Sequence, residues 1–289
     1  MIKDKFAKFK YNIYSQRGED GIIKKILSKL KKEQDYTLCE FGASNGIEFS
    51  NSYNLIKNNN YSGLLIESSK KKFIELCKNI PDNRVIKRNL CIESKGKNSL
   101  DQILKRDNFN INFDFLSIDI DGCDYYIFKN LKNYRPKIIC IEFNPSIPND
   151  VEFIQKEESY TKQGSSILSI AKLAENKKYS IITATECNLF LINNKYKKKV
   201  LGKNQIKIDH IRNDSKCKNY LFFGYDGSVH LSSKNLINWH GLQIINLKLL
   251  PKFLQKYPPD YNRLELMFFY LFKFIKNPKK YLFNLKKYI

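Results

Sequence analysis

The chain has no CxxC motif and no paired cysteine spacing, although seven cysteines are scattered over its 289 residues. This pattern offers neither a disulfide framework nor a zinc site. P-loop, HExxH and Ser/His/Asp patterns are also missing, which removes support for NTPase and hydrolase functions. No apolar run is long enough to span a bilayer, and the first residues form no signal core. These absences predict a reduced, cytoplasmic protein.

Acidic residues are scarce: 29 Asp and Glu stand against 51 Lys and Arg, a net charge of +22. Such a charge favours anionic partners, but a general lysine bias is the preferred explanation. No nucleic-acid motif is present, so we expect no nucleic-acid partner. Residues 251–289 carry nine Lys or Arg against two acids. This tail either contacts an anionic membrane peripherally or packs its aromatic residues against the domain or a second subunit.

From residue 36 onward the hydrophobic pattern alternates between strand and helix. It predicts strands at 36–42, 63–67, 84–87, 114–119, 137–143, 179–184 and 187–193. The first five lack strict alternation, which is typical of parallel strands buried on both faces. The gap before the last strand is too short for a crossover helix, so the final pair is an antiparallel hairpin. We therefore predict an α/β fold with a Rossmann-like seven-stranded methyltransferase sheet.

Three regions follow from this pattern. Residues 1–195 form the predicted methyltransferase domain, 196–250 an accessory or lid region, and 251–289 a basic aromatic helical tail, the C-terminal helical extension. The middle region is the least regular, with several turn signals.

A glycine-containing turn at residues 40–46 follows the first predicted strand. Glu40, Gly42 and Gly46 give an acidic-x-Gly-x-x-x-Gly pattern, and Glu67 ends the second strand. Glycines let backbone approach a ligand, and a carboxylate at the second strand end can accept both ribose hydroxyls. Without a phosphate cradle, this arrangement favours S-adenosylmethionine over a dinucleotide.

Polar side chains also follow the later strands, at the edge where ligands bind in open parallel sheets. Asn89 follows the third strand and borders an adenine site, Asp119 follows the fourth, and Glu142 and Asn144 follow the fifth. Asp119, Glu142 and Asn144 form an oxygen-ligand set of the kind that Mg²⁺ or Mn²⁺ accepts. In a metal-free alternative, Asp119 or Glu142 acts as general base. Asp124 is equally well explained as a helix cap.

Several segments carry a resemblance to a known family. They are Ser15–Gly21, Glu40–Gly46, Gly63–Glu67, Asp114–Tyr125 and Ile141–Asn144. In this order they resemble FkbM-like S-adenosylmethionine-dependent methyltransferases, in particular the bacterial branch associated with surface polysaccharides. The resemblance implies that the segment before the first helix closes over the cofactor. It also implies that Asp119 lies nearest the transferring methyl group.

The candidate site residues combine the residue patterns with this resemblance. The candidate cofactor-binding residues are Gln16, Glu19, Glu40, Gly42, Ala43, Ser44, Gly46, Glu67, Asn89 and Asp119. The candidate catalytic residues are Asp119 and Glu142.

The expected activity is O-methylation of a hydroxyl on a sugar or glycan precursor. One alternative is a catalytically silent binding protein that docks on a membrane or partner through its basic tail. Another is a nucleic-acid methyltransferase, although the chain lacks an Asn-Pro-Pro-Tyr tetrapeptide.

Overall fold

The computed structural model describes residues 4–158, 161–232, 236–237, 240–243 and 249–278. The chain divides into two compact units, Met1–Cys217 and Lys218–Ile289. None of the helices in these described ranges has the length and apolar character needed to cross a bilayer.

The first unit alternates strand and helix at the positions that the hydrophobic pattern predicts. Its strands are β1 (Thr37–Phe41), β2 (Ser62–Glu67), β3 (Val85–Asn89), β4 (Phe115–Ile118), β5 (Ile138–Glu142), β6 (Tyr179–Ala184) and β7 (Asn188–Asn193). Its helices are α1 (Glu19–Ser28), α2 (Tyr53–Asn59), α3 (Lys70–Asn79), α4 (Leu100–Arg106), α5 (Asp124–Asn130), α6 (Ile167–Asn176), α7 (Lys197–Leu201) and α8 (Ile208–Ile211).

These strands form one seven-stranded sheet in the order β3-β2-β1-β4-β5-β7-β6. The first five run parallel to their neighbours. β7 is antiparallel to both β5 and β6, so the last two strands form the predicted hairpin. The Rossmann-like methyltransferase fold is therefore confirmed.

The central strands are buried on both faces, which explains their lack of alternation. A hydrophobic cluster lies on each side of the sheet: Leu116 and Ile118 of β4 belong to one cluster, and Phe115 of the same strand belongs to the other. α1 contributes Ile22 and Ile26 to the second cluster, with both side chains fully buried. Apolar burial on this scale is the main source of stability in such a domain.

The stretch around α8 is tied to the loop that follows β5. The Arg212 guanidinium is mostly buried and donates to the carbonyl oxygens of Pro145 and Ile147 and to Oδ1 of Asn149. In return, the Asn149 backbone N–H donates to Asp214 Oδ2 at 2.8 Å. These bonds explain why the first compact unit continues to residue 217, beyond the end of the sheet.

The second unit contains two short hairpins and one longer helix. The hairpins pair β8 (Leu221–Phe223) with β9 (Val229–Leu231), and β10 (Leu236–Ile237) with β11 (Leu242–Gln243). Helix α9 (Arg263–Lys276) begins at a capping box between Asn262 and Glu265. The predicted C-terminal helix is thus present, while the predicted tail residues 279–289 lie outside the described ranges. The membrane contact of this tail stays a prediction.

Candidate active site

Four acidic side chains meet at the carboxyl ends of the central strands. Glu40 lies in β1, Glu67 ends β2, Asp119 follows β4 and Glu142 ends β5. We call the region lined by these four residues the strand-end crevice. β1 and β4 are neighbours in the sheet, and the strand order reverses between them. In open parallel sheets, ligands bind at this kind of reversal.

The two glycines of the turn after β1 serve different purposes. Gly42 has a φ of +76° and is exposed, and a Cβ there would lie 1.8 Å from the carbonyl oxygen of Asp119. Gly46 has a φ of +82° and is buried, and a Cβ there would lie 2.4 Å from Leu76 of α3. Both positions require glycine. Gly42 permits a close approach to the backbone of Asp119, whereas Gly46 permits packing against α3, and the predicted cofactor contacts of both glycines stay predictions.

Glu67 is fixed by backbone donors on both of its carboxylate oxygens. Oε2 accepts from the Ser44 N–H at 2.8 Å, and Oε1 accepts from the Ser69 N–H at 2.7 Å. Asn89 supports this arrangement, because its side chain donates to the Glu67 carbonyl oxygen at 2.8 Å. A carboxylate offers about four lone-pair positions, so Glu67 keeps capacity for two ribose hydroxyls. Asn89 therefore positions the end of β2.

The carboxylate of Glu40 is engaged in hydrogen bonds within the protein. Its side chain is buried and accepts hydrogen bonds from the hydroxyls of Ser50 and Ser52 and from the Asn51 backbone N–H. Burial raises the pKa of the Glu40 carboxyl, and these three donors oppose that rise. Glu40 thus anchors the segment that leads into α2. Its direct contact with a cofactor stays a prediction.

Asp119 and Glu142 form a carboxyl pair, in which carboxylate oxygens of the two residues lie within 4.8 Å of each other. Burial, followed by the repulsion of neighbouring carboxylates, raises the pKa of Asp119 to about 7 and the pKa of Glu142 to about 9. The two groups titrate together, so the pair holds a proton near neutral pH. A carboxylate with a pKa near the working pH is suited to take a proton from a substrate.

The third carboxylate of this cluster is Asp121, which the sequence interpretation did not assign to the metal set. Carboxylate oxygens of Asp119, Asp121 and Glu142 lie within 4.8 Å of one another. The Asn144 amide oxygen accepts two hydrogen bonds from Ser146, and its amide nitrogen donates to Gln163. Both polar atoms of Asn144 are therefore engaged in its own loop.

The turn between β4 and α5 depends on Asp124. Its buried carboxylate accepts from the backbone N–H groups of Ile120 at 3.0 Å and Gly122 at 2.8 Å. Asp121, at the middle of this turn, has a φ of +56° and an exposed side chain. Asp124 therefore holds Asp121 in a left-handed conformation beside the carboxyl pair. It is the first residue of α5 and does not cap the helix, so the cap interpretation of Asp124 is wrong.

The segment before α1 is folded back by Asp20. Asp20 Oδ2 accepts from the backbone N–H groups of Ile13, Tyr14 and Ser15 at 2.8 to 2.9 Å. Ser15 Oγ in turn accepts from the Asp20 N–H at 3.0 Å. Gln16 lies in this folded segment and is exposed. Its predicted contact with the cofactor stays a prediction.

Glu19 and Asn188 extend the crevice beyond the carboxyl pair. Asn188 is the register partner of Glu142 on β7, so the two side chains leave the same face of the sheet. The Asn188 amide nitrogen donates to Oε1 of the fully buried Glu19 at 3.3 Å. Within the described ranges, Oδ1 of Asn188 is buried without a hydrogen-bond partner. An unpaired buried acceptor costs free energy unless a ligand donates to it.

Solved methyltransferase structures are similar to this chain at low identity. TrmK of M. capricolum in complex with S-adenosyl-homocysteine is 15% identical, with a TM-score of 0.34 over 58% of this chain and 65% of that one, less than two thirds of its length. The O-methyltransferase from Bacillus cereus in complex with SAH is 18% identical, with a TM-score of 0.38 over 58% and 78%. A Clostridium acetobutylicum S-adenosylmethionine-dependent methyltransferase is 12% identical, with a TM-score of 0.37 over 61% and 92%.

These names describe the solved proteins, and the fold of this chain rests on its own strand order. Among curated proteins the chain has no match. Residues 96–181 match the model of the methyltransferase FkbM domain. The matched range includes Asp119 and Glu142, whereas the glycine turn and Glu67 precede it. The resemblance to FkbM-like methyltransferases is therefore confirmed by the match over residues 96–181, whereas the surface-polysaccharide branch stays a prediction.

Proposed function

We propose that this protein transfers a methyl group from S-adenosylmethionine to a hydroxyl oxygen of a sugar or glycan precursor. The observation that carries this proposal is the Asp119–Glu142 carboxyl pair beside the unpaired buried oxygen of Asn188. All three groups accept hydrogen bonds, and a polyhydroxylated acceptor supplies the matching donors. A nucleic acid would instead bring phosphates against several carboxylates, which is electrostatically unfavourable.

The residues at the ends of β1 and β2 fit the proposed methyl donor. Glu67 presents a fixed carboxylate for the ribose hydroxyls, and Ser44 is held beside it by the 2.8 Å hydrogen bond from its N–H. Gly42 leaves the neighbouring surface free of a side chain. The donor supplies an electrophilic methyl group on a sulfonium sulfur when it is bound.

The carboxyl pair has a defined task in this transfer. With the donor bound, the acceptor oxygen would form a C–O bond to the methyl carbon as the C–S bond breaks, and the former sulfonium would leave as a neutral thioether. The Asp119 carboxylate takes the hydroxyl proton, and the neighbouring Glu142 carboxyl helps to keep the pKa of Asp119 near neutral. Glu19 holds the Asn188 side chain, whose unpaired Oδ1 accepts from a neighbouring hydroxyl. The rate gain comes from alignment of the reacting groups and from proton removal.

The acceptor class is tested by measuring release of S-adenosyl-homocysteine from S-adenosylmethionine. We expect turnover with nucleotide sugars or oligosaccharides that carry free hydroxyls, and none with RNA or DNA at low salt. The methylated product is located by mass spectrometry after acid hydrolysis. Methylation of a nucleic acid at comparable rates would contradict the proposal.

Glu67→Ala is expected to weaken binding of S-adenosyl-homocysteine by about 10- to 100-fold, because hydrogen bonds to a charged group contribute roughly 1.5–3 kcal/mol. Isothermal titration calorimetry measures the loss. Glu67→Gln keeps an acceptor for one backbone N–H and gives a smaller loss. Glu48→Ala removes a nearby but exposed carboxylate and serves as the matched control. Unchanged affinity in Glu67→Ala would remove Glu67 from the cofactor site.

A metal-assisted transfer is the second candidate, favoured by the three clustered carboxylates. Asp119, Asp121 and Glu142 are the hard oxygen ligands that Mg²⁺ or Mn²⁺ prefers, and such an ion would lower the pKa of an acceptor hydroxyl. This route predicts that Mn²⁺ binds the protein, as followed by electron paramagnetic resonance, and that Asp121→Asn weakens this binding. Full turnover after EDTA treatment, with no bound Mn²⁺, would contradict the metal-assisted route and support the metal-free one.

A further inference from the structure

We infer that the protein has a second ligand site, which binds a small organic phosphate at the carboxyl end of α1. A cavity of about 440 Å³ opens there, formed by residues 5–9, the last turns of α1 and residues 198–206. We call it the lysine pocket, after its lining side chains Lys5, Lys8, Lys25, Lys29, Lys198 and Lys199. Its volume falls in the range of pockets that enclose small molecules.

The charge of the lysine pocket is far above that of the chain as a whole. Six of its thirteen lining residues are lysine, and none is acidic. In the whole chain, 51 of 289 residues are Lys or Arg. A general lysine bias therefore does not account for this concentration. Lys199 pairs with Glu33, which lies outside the lining, so the pocket keeps a large excess of positive charge.

Six like charges around one cavity repel one another in the unliganded protein. Lys25 lies in the last turn of α1 and Lys29 is the residue at its C-cap, one turn further on, so their like charges repel. The carboxyl end of the α1 dipole attracts the ammonium groups of Lys25 and Lys29, which offsets part of the repulsion for these two residues but not for the other lysines. Lys5, Lys8 and Lys198 come from other segments. An anion that bridges the three segments removes the repulsion, and phosphate is the anion that lysine ammonium groups commonly bind.

The walls of the pocket are apolar, which points to a ligand with more than a phosphate group. Phe6 and Leu201 are buried in the wall, and Phe9 is half-buried. The ammonium groups of Lys8 and Lys25 lie 5.3 and 4.7 Å from the centre of the Phe9 ring. Phosphate groups on the lysines and a planar or apolar body against Phe9 satisfy both parts of the lining. A nucleoside diphosphate has this chemistry.

The lysine pocket is separate from the strand-end crevice. Glu19, which contacts Asn188 in the crevice, begins α1, whereas Lys25 and Lys29 lie at the other end of the helix. The ten residues of α1 span roughly 15 Å. A ligand in the lysine pocket therefore does not occupy the methyl-donor site, and the inference does not depend on which acceptor is methylated.

The test is calorimetric titration of the full-length protein with UDP, in the presence of saturating S-adenosyl-homocysteine and at constant ionic strength. Saturation of the methyl-donor site excludes binding there, and the lysine variants then distinguish the lysine pocket from the acceptor side of the strand-end crevice. We expect saturable binding of UDP. Lys25→Gln/Lys29→Gln should weaken it at least about tenfold, because two charge-assisted contacts are lost. Lys24→Gln/Lys32→Gln removes the same charge from exposed positions outside the pocket and should leave the affinity nearly unchanged.

Further ligands distinguish an organic phosphate from inorganic pyrophosphate and from a lipid headgroup. Pyrophosphate should bind more weakly than UDP, and Phe9→Leu should weaken UDP but not pyrophosphate. Equal affinity for both ligands would overturn the organic-phosphate assignment. Binding only to phosphatidylglycerol vesicles, with none to UDP, would identify a lipid surface instead and overturn it as well. An equal loss in the Lys24/Lys32 variant would show diffuse electrostatic attraction and reject the pocket.

Discussion

Replacing Asp119 by asparagine is expected to lower kcat by about 10²- to 10⁴-fold, the usual contribution of a positioned general base. The substitution keeps the size of the side chain but removes the group that takes the hydroxyl proton. Affinity for S-adenosyl-homocysteine should change little, because Glu67 and the backbone of residues 42–44 hold the cofactor in the proposed site. Steady-state kinetics and calorimetry together measure the two effects. Equal loss of turnover and cofactor affinity would contradict the catalytic role of Asp119.

Two further variants test whether Glu142 and Asp121 contribute to turnover as Asp119 does. Glu142→Gln removes the group that shares a proton with Asp119 and should also lower kcat, by a smaller factor. Asp121→Asn is the matched control, because Asp121 lies in the cluster but is exposed. If Asp119 acts as base without a metal, Asp121→Asn leaves kcat nearly unchanged. A large loss in Asp121→Asn would favour the metal-assisted route instead.

The pH dependence of kcat follows from the raised pKa of Asp119. Below a pKa of about 7 the Asp119 carboxyl is protonated and cannot accept the hydroxyl proton. We therefore expect kcat to rise with pH up to the neutral range and then to level off, and Asp119→Asn to flatten this rise. The pair titrates as a unit, so the apparent value belongs to Asp119 and Glu142 together.

The sheet and its strand-end acids could be predicted from the sequence, because both follow from short apolar runs and the acidic residues at their ends. Runs such as Ile138–Ile141 contain no polar residue, and a parallel strand buried on both faces produces such a run. Asp119, Glu142 and Glu67 were then found by position alone, since carboxyl ends of parallel strands meet at one edge.

The partners of Glu40 and the place of Asn188 could not be predicted from the sequence, because both depend on how the loops and strands are arranged in the fold. Glu40 has the same strand-end signature as Glu67, yet its partners are Ser50, Asn51 and Ser52, which reach it only because of the loop geometry before α2. The sequence pattern places Asn188 near the start of a predicted strand but does not indicate what its side chain contacts. Its place in the crevice depends on the antiparallel register that sets it opposite Glu142, and one residue of slip would turn it away.

Lys137→Met is expected to destabilise the protein by about 3–5 kcal/mol, the usual cost of leaving one partner of a buried ion pair uncompensated. Lys137 Nζ lies 2.6 Å from Asp114 Oδ1, and both side chains are nearly inaccessible to solvent. Asp114 also accepts hydrogen bonds from the Tyr61 hydroxyl and from the backbone N–H groups of Asp35 and Tyr36. The carboxylate thus joins the starts of β1, β4 and β5, and urea unfolding measures its dependence on Lys137.

Two comparisons test whether the buried Asp114–Lys137 pair contributes more to stability than an exposed ion pair does. Lys172→Met breaks an exposed pair with Glu152, whose side chains are 54% and 50% accessible, and should cost about 1 kcal/mol or less. Lys137→Met/Asp114→Asn removes both charges and should recover part of the stability lost in Lys137→Met. Equal effects of Lys137→Met and Lys172→Met would show that the Asp114–Lys137 pair contributes no more than a surface contact.

The cost of Lys137→Met should also depend on pH. Burial raises the pKa of the Asp114 carboxyl even with Lys137 beside it, and loss of Lys137 raises this pKa further. An acid whose pKa is higher in the folded state stabilises the fold when protonated and loses that contribution as pH rises through the folded-state pKa. The deficit of Lys137→Met relative to the wild type should therefore be smaller at pH 5 than at pH 8. A deficit that is constant over this range would mean that Asp114 stays ionised without its partner, supported by its three other hydrogen-bond donors alone.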